Sequence, residues 1–204
     1  MVLYAVAGSG LAGLALVLLL FLVGAGGGGG ADPEKVRTAM EAAGCTLTSV
    51  KAEPNKPDHS DVPTPETKVK WNTFPPTNGP HYGIPAVYGA YTEPIDQTRL
   101  LHNLEHGGVY IQYGSKVPEA TVAQLRAFYD DHRNGTLLAP LAALGNKIAL
   151  GAWVTSDDLA ADRGRGYLAK CTTFDETAYA AFFEQFQFKG PERFQPGAMQ
   201  PGST

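Results

Sequence analysis

Charge is missing from the start of this chain: no Asp, Glu, Lys or Arg precedes Asp32. Cysteine is nearly missing too, with two residues in 204, Cys45 and Cys171. Their spacing excludes a Cys-x-x-Cys redox pair and a cysteine-based zinc knuckle. Basic tracts are absent: Lys and Arg total 16 against 20 acids, for a net charge of −4, and they are scattered. Phosphate backbones are gripped by concentrated cationic faces, so nucleic acid is excluded as a partner. Also lacking are a Gly-x-Ser-x-Gly elbow, a GxxxxGK[ST] phosphate loop and a dinucleotide fingerprint placed after a strand. The common hydrolase, nucleotide and dehydrogenase chemistries therefore have no sequence support.

The charge-free start is strongly apolar from Val2 to Ala25, densest from Leu11 to Val23. Twenty-odd residues at 1.5 Å each reach about 30 Å, the thickness of a bilayer's hydrocarbon core. A cleaved signal peptide is the rival reading, but its apolar stretch is shorter and follows a basic start. Residues 1–25 thus read as a transmembrane anchor, with the lipid bilayer as a partner. Residues 26–32 read as a Gly-rich linker, 33–190 as the globular domain and 191–204 as a Pro/Gly-rich tail. Lys35 and Arg37 follow the apolar run and, taken alone, would draw the C-terminal side inward. The cysteines argue the opposite. A disulfide between Cys45 and Cys171 would close most of the domain into one loop and requires an oxidising compartment. We therefore expect a single-pass protein of the cytoplasmic membrane with its domain on the outer side.

Beyond the linker, Asp32-Pro33-Glu34 is a helix start, and that helix should run to Ala43, with Gly44 ending it. Strands are expected over 46–51, 69–74, 109–113, 147–155 and 167–173. Helices are expected over 97–105, from Pro118 to about Arg133, and after an Asp175 cap. Pro54, Pro57, Pro63 and Pro65 make 53–66 a loop. The resulting fold class is α+β, a small and mostly antiparallel sheet with flanking helices.

Chemistry concentrates in two strings. Pro75-Pro76-Thr77-Asn78-Gly79-Pro80-His81 holds His81 in a proline-stiffened turn. His102-Asn103-Leu104-Glu105-His106 then places two imidazoles at i and i+4, on one face of a helix and within reach of one ion. A transition-metal site, copper or zinc, is expected at His81, His102 and His106. Glu105 and Asn103 are expected just outside the ligands, or Glu105 as a fourth, more open position. Met199 offers a soft sulfur that would favour copper. His59 and His132 read as solvated. The string His102-x-x-Glu105-His106 also matches an inverted zinc-peptidase motif with Glu105 as general base, although Gly107-Gly108 cuts the helix at once. Structural histidines in a subunit docked on a membrane complex are the remaining alternative.

Three strings carry a family resemblance: Asn72-Thr73-Phe74-Pro75-Pro76-Thr77-Asn78-Gly79-Pro80-His81, Leu101-His102-Asn103-Leu104-Glu105-His106-Gly107-Gly108, and Lys189-Gly190-Pro191-Glu192. With the apolar start, Gly-rich spacer and Ala-Ala-Gly-Cys, they resemble a bacterial membrane-anchored family of domains of unknown function, number 3105. The pattern departs at Asn78, where a serine is expected; a small polar turn residue is kept. The resemblance implies an anchored, extracytoplasmic placement and no activity.

Overall fold

The computed structural model describes residues 32–52, 59–62, 64–155 and 164–204. The expected anchor over 1–25 lies outside them, and no described helix is long and apolar enough to cross a membrane. Helix α1 (Pro33–Ala42) begins under Asp32, whose carboxylate accepts the amides of Glu34 and Lys35. Strand β1 (Thr46–Lys51) follows. A single helical turn covers His59–Asp61, and a long irregular segment leads to β2 (Gly89–Ala90) and α2 (Gln97–Glu105). Then come β3 (Val109–Tyr113), α3 (Glu119–Asp131), β4 (Thr136–Pro140), β5 (Ile148–Val154), β6 (Arg165–Cys171) and α4 (Glu176–Phe186).

The six strands form one sheet in the order β1-β6-β5-β3-β4-β2. β1, β6, β5 and β3 pair antiparallel, whereas β3–β4 and β4–β2 pair parallel. The fold is α+β as expected, but the sheet is mixed rather than mostly antiparallel. The reason is local: β3, α3 and β4 make one strand–helix–strand crossover, the kind of connection that parallel neighbours require. Thr136–Pro140 carries no alternating polarity, since four of its five residues are buried, so a period-2 search passes over it. The strand expected over 69–74 is absent; those residues make turns stitched by side chains.

Both faces of the sheet are covered, which explains why every residue of β5 is buried. On one face Ile148, Leu150, Ala152 and Val154 meet α1, α3 and α4 through Val36, Met40, Leu125, Phe128, Phe182 and Phe186. Burying each such side chain contributes about 1.5–3 kcal/mol. On the other, Ala149 and Trp153 meet Leu100, Leu101 and Leu104 of α2, Tyr88 and Met199. Cys45 and Cys171 are joined, with S–S 2.03 Å across a separation of 126 residues. The bridge ties the start of edge strand β1 to the end of its neighbour β6.

Candidate metal centre

The site lies at the C-terminal end of α2. Asp96 starts that helix by accepting the amides of Thr98 and Arg99, and Leu100, Leu101 and Leu104 hold one side against the sheet. His102 and His106 therefore share another side, their rings 4.6 Å apart. Gly107, at φ +94, turns the chain out of the helix. The next carbonyls would be stranded, but the chain after α4 returns to them. Phe188 donates its amide to Gly107, Glu192 to Glu105 and Phe194 to His106, at 2.7, 2.9 and 3.1 Å. The string Lys189-Gly190-Pro191-Glu192 is thus the outer wall of the site.

The loop carrying His81 is fixed by its own polar groups. Asn72 donates to Asn78, the Thr73 and Thr77 hydroxyls pair, and the Trp71 indole donates to the Pro80 carbonyl at 2.9 Å. It lies flat on β6 because Gly166 has no side chain: a Cβ there would come 2.2 Å from the Thr77 hydroxyl. His81 is fully buried, with its ring edge-on to Trp153.

Nδ1–H of His81 donates to the Gly79 carbonyl at 2.9 Å, and Nδ1–H of His102 to the Tyr82 carbonyl at 2.8 Å. A carbonyl only accepts, so each Nδ1 carries a proton; in the neutral ring, the form a metal takes, both Nε2 lone pairs then point into the site. The Nε2 of His81 faces the Glu105 Oε2 at 2.9 Å and the His59 Nε2 at 3.1 Å. His59, Glu105, His81 and His102 each bring one ligand atom, all within 4.8 Å of one another. That group could hold a metal ion. Two donors about 2.0–2.1 Å from one ion stand about 2.9 Å apart at a right angle and about 3.3 Å at a tetrahedral one, so the 2.9 and 3.1 Å gaps match ligand-to-ligand gaps, and the widest, up to 4.8 Å, has to close by small side-chain movements for all four to bind one ion. Glu105 is 0% exposed, and its second oxygen, Oε1, has no hydrogen-bond partner among the described residues. A buried bare carboxylate oxygen is costly unless a cation or a donor meets it.

Burial pushes the Glu105 carboxyl up, but the His81 hydrogen bond and the charges of His81, His102 and His59 outweigh it and leave its pKa lowered. Burial likewise lowers His102, helped by His81 and His59 and opposed by the Tyr82 carbonyl bond and Glu105. His106 is pushed down to about 4, by burial first and then by His102. Both therefore keep the neutral form that ligates.

Several sequence expectations meet a different geometry. His59 is only partly solvated: its side chain is 39% exposed, and its ring stacks on His102. Nothing in the sequence ties it to the pair, because proline-rich chain separates them with no repeat spacing. His106 lies beside His102, Nε2 to Nε2 3.1 Å, stacked on Phe194 and outside the group of four. Asn103 meets no histidine. One residue on from His102 it points toward the 82–91 segment, where its amide bonds both the N–H and the carbonyl of Ala86. Met199 is buried in the apolar cluster with Tyr88 and Leu104. His132 donates to the Phe128 carbonyl and stacks on that ring, away from the site.

Neither a curated protein nor a solved structure matches the chain. A family model does match, over residues 63–200, a span that takes in His81, His102, Glu105 and His106 and leaves His59 just upstream. The chain belongs to the family described as Protein of unknown function (DUF3105).

Proposed function

We propose that this protein is an anchored, extracytoplasmic domain that binds one divalent transition metal, zinc or copper(II), through His59, His81, His102 and Glu105. The observation that carries the proposal is the set of four ligand atoms within 4.8 Å around a buried carboxylate with a bare oxygen. Three imidazoles and a carboxylate, with no sulfur among them, suit zinc and copper(II) and disfavour copper(I). The apolar run of residues 2–25 and the Cys45–Cys171 bridge support the placement outside the membrane. The Gly79 and Tyr82 carbonyls orient two of the ligands, a role that backbone acceptors commonly take around metal-bound histidine.

The test is metal analysis of the full chain, purified in detergent from its membrane without a histidine tag. One ion per chain is expected, lost on His81→Ala with the disulfide intact. A wild-type chain that takes up neither zinc nor copper(II) overturns the proposal. One observation favours a second reading, a docking subunit with structural histidines: His81 and Glu105 at 2.9 Å, both 0% exposed, can form a buried ion pair without any metal. In that case zinc leaves the melting temperature unchanged. A peptidase use of Glu105 finds no support, because its Oε2 abuts His81 and the side chain has no exposed surface on which to activate a substrate water.

A further inference from the structure

Beside the group of four, donor atoms continue to the surface. The Nε2 of His102 already faces His106 Nε2 at 3.1 Å. The Nε2 of His106 lies 3.8 Å from Glu192 Oε2, and the Glu192 side chain is 49% exposed. Phe194 stacks on His106 at 3.9 Å and is itself partly exposed. At the other end His59 is the only half-exposed member of the inner group. Potential ligands therefore run from the partly exposed His59 through the buried His81, Glu105, His102 and His106 to the half-exposed Glu192.

We infer that His102, His106 and Glu192 form an outer cation position that shares His102 with the inner centre, so that the bound metal is passed on rather than retained. This rests on the metal-binding reading above. A separation of 3.1 Å between His102 and His106 subtends about 100° at an ion 2.0–2.1 Å from both nitrogens. His102 keeps its bond while those to His59, His81 and Glu105 break and those to His106 Nε2 and Glu192 Oε2 form. The proton of His106 Nε2 passes to solvent or to its own Nδ1. Two anionic carboxylates bracket the route, so the divalent charge faces one carboxylate at each position. The negative end of the α2 dipole lies at His106, the residue capping that helix, and favours a cation there. Glu192 closes the remaining gap by rotating, which a half-exposed side chain on a backbone anchored to Glu105 can do.

Stopped-flow transfer tests this. The full chain in detergent, loaded with one equivalent of zinc, is mixed with excess chromophoric chelator. The chains compared are wild type, Glu192→Gln and His106→Gln. Both variants are expected to keep one zinc per chain yet release it about tenfold more slowly, the scale on which groups flanking a metal act. Release at the wild-type rate from Glu192→Gln overturns the inference while the inner centre stands. Loss of the zinc from either folded variant also overturns it, since the residue would then belong to the inner centre. If His106→Gln does not fold, Glu192→Gln, altered only at the surface, decides alone. Failure of wild type to load any zinc is a different result, and it removes the metal-binding reading itself.

Discussion

Replacing Glu105 by Gln separates a metal centre from an ion pair, because the amide keeps the shape and deletes the charge. Suppose zinc is present at about a hundred times its dissociation constant. Wild type then gains about 2.7 kcal/mol, since only the folded chain presents the four donors together. For a domain of roughly 170 residues each kcal/mol moves the melting temperature by about 2–4 °C, giving a rise of about 5–11 °C. Without the carboxylate the site keeps three imidazoles and an amide, which is a poor zinc ligand. A hundredfold loss of affinity at the same zinc concentration leaves about 0.4 kcal/mol, or about 1–2 °C. The metal-free variant should itself melt lower, since the carboxylate charge that faces His81 is lost in a place with no solvent to replace it. A charge-assisted hydrogen bond of that kind contributes about 1.5–3 kcal/mol. The assay is differential scanning calorimetry of both chains after chelation, with and without zinc. A zinc-induced rise of wild-type size in Glu105→Gln refutes the reasoning, because it removes the carboxylate from the ligand set.

Reducing the disulfide frees a loop spanning 126 residues, and loop-closure entropy puts the loss at about 5 kcal/mol; a melting temperature unmoved by reductant would contradict this. Acid should weaken the metal-free protein. His102 and His106 have folded pKa values below the ordinary 6.5, so their contribution is whole above about 6.5. It drains as pH falls toward 4, by about 3 kcal/mol for His106, and Glu105, also lowered, adds its loss below its ordinary 4.5. Denaturant midpoints that stay level between pH 7 and 4 would count against those burial effects. A reporter active only in the cytoplasm, joined after Thr204, should be silent if the domain is extracytoplasmic.

Much of the fold could be read from local rules. Asp32, Asp96 and Asp175 each precede a helix and cap it through a carboxylate, and the helix 97–105 follows from Asp96 at its start and Gly107-Gly108 after its end. The strands β1, β3, β5 and β6 were legible because their β-rich runs end in turn residues. Two elements were not. β4 is buried on both faces and only five residues long, and β2 is two residues whose pairing partner lies far along the chain. Missing β4 hid the crossover, and with it the parallel half of the sheet. The same division holds at the site. Local geometry juxtaposes His102 and His106, as the i, i+4 spacing requires. Tertiary packing brings in His59, and no sequence interval encodes its distance to the others.

The third string shows why such a site needs chain from far away. Glu105 and His106 sit on the last turn of α2, where backbone carbonyls lack helical partners and any groove must stay narrow to exclude water. A water-filled end would satisfy those carbonyls but would also solvate Glu105, and a solvated carboxylate loses the low-dielectric attraction to the imidazoles. The returning segment resolves this by donating the amides of Phe188, Glu192 and Phe194 to Gly107, Glu105 and His106. It is locked to the end of β5 by the Thr155 amide on the Lys189 carbonyl, and by the Arg193 guanidinium on the Thr155 carbonyl. Gly190 is needed at the closest point, where a Cβ would stand 2.3 Å from the Glu105 carbonyl. Any side chain there would push the wall off the helix end, admit water to Glu105 and loosen His106. The link from sequence to site is therefore a chain of backbone satisfactions, and the rare strings mark the places where only one residue type lets the backbones approach.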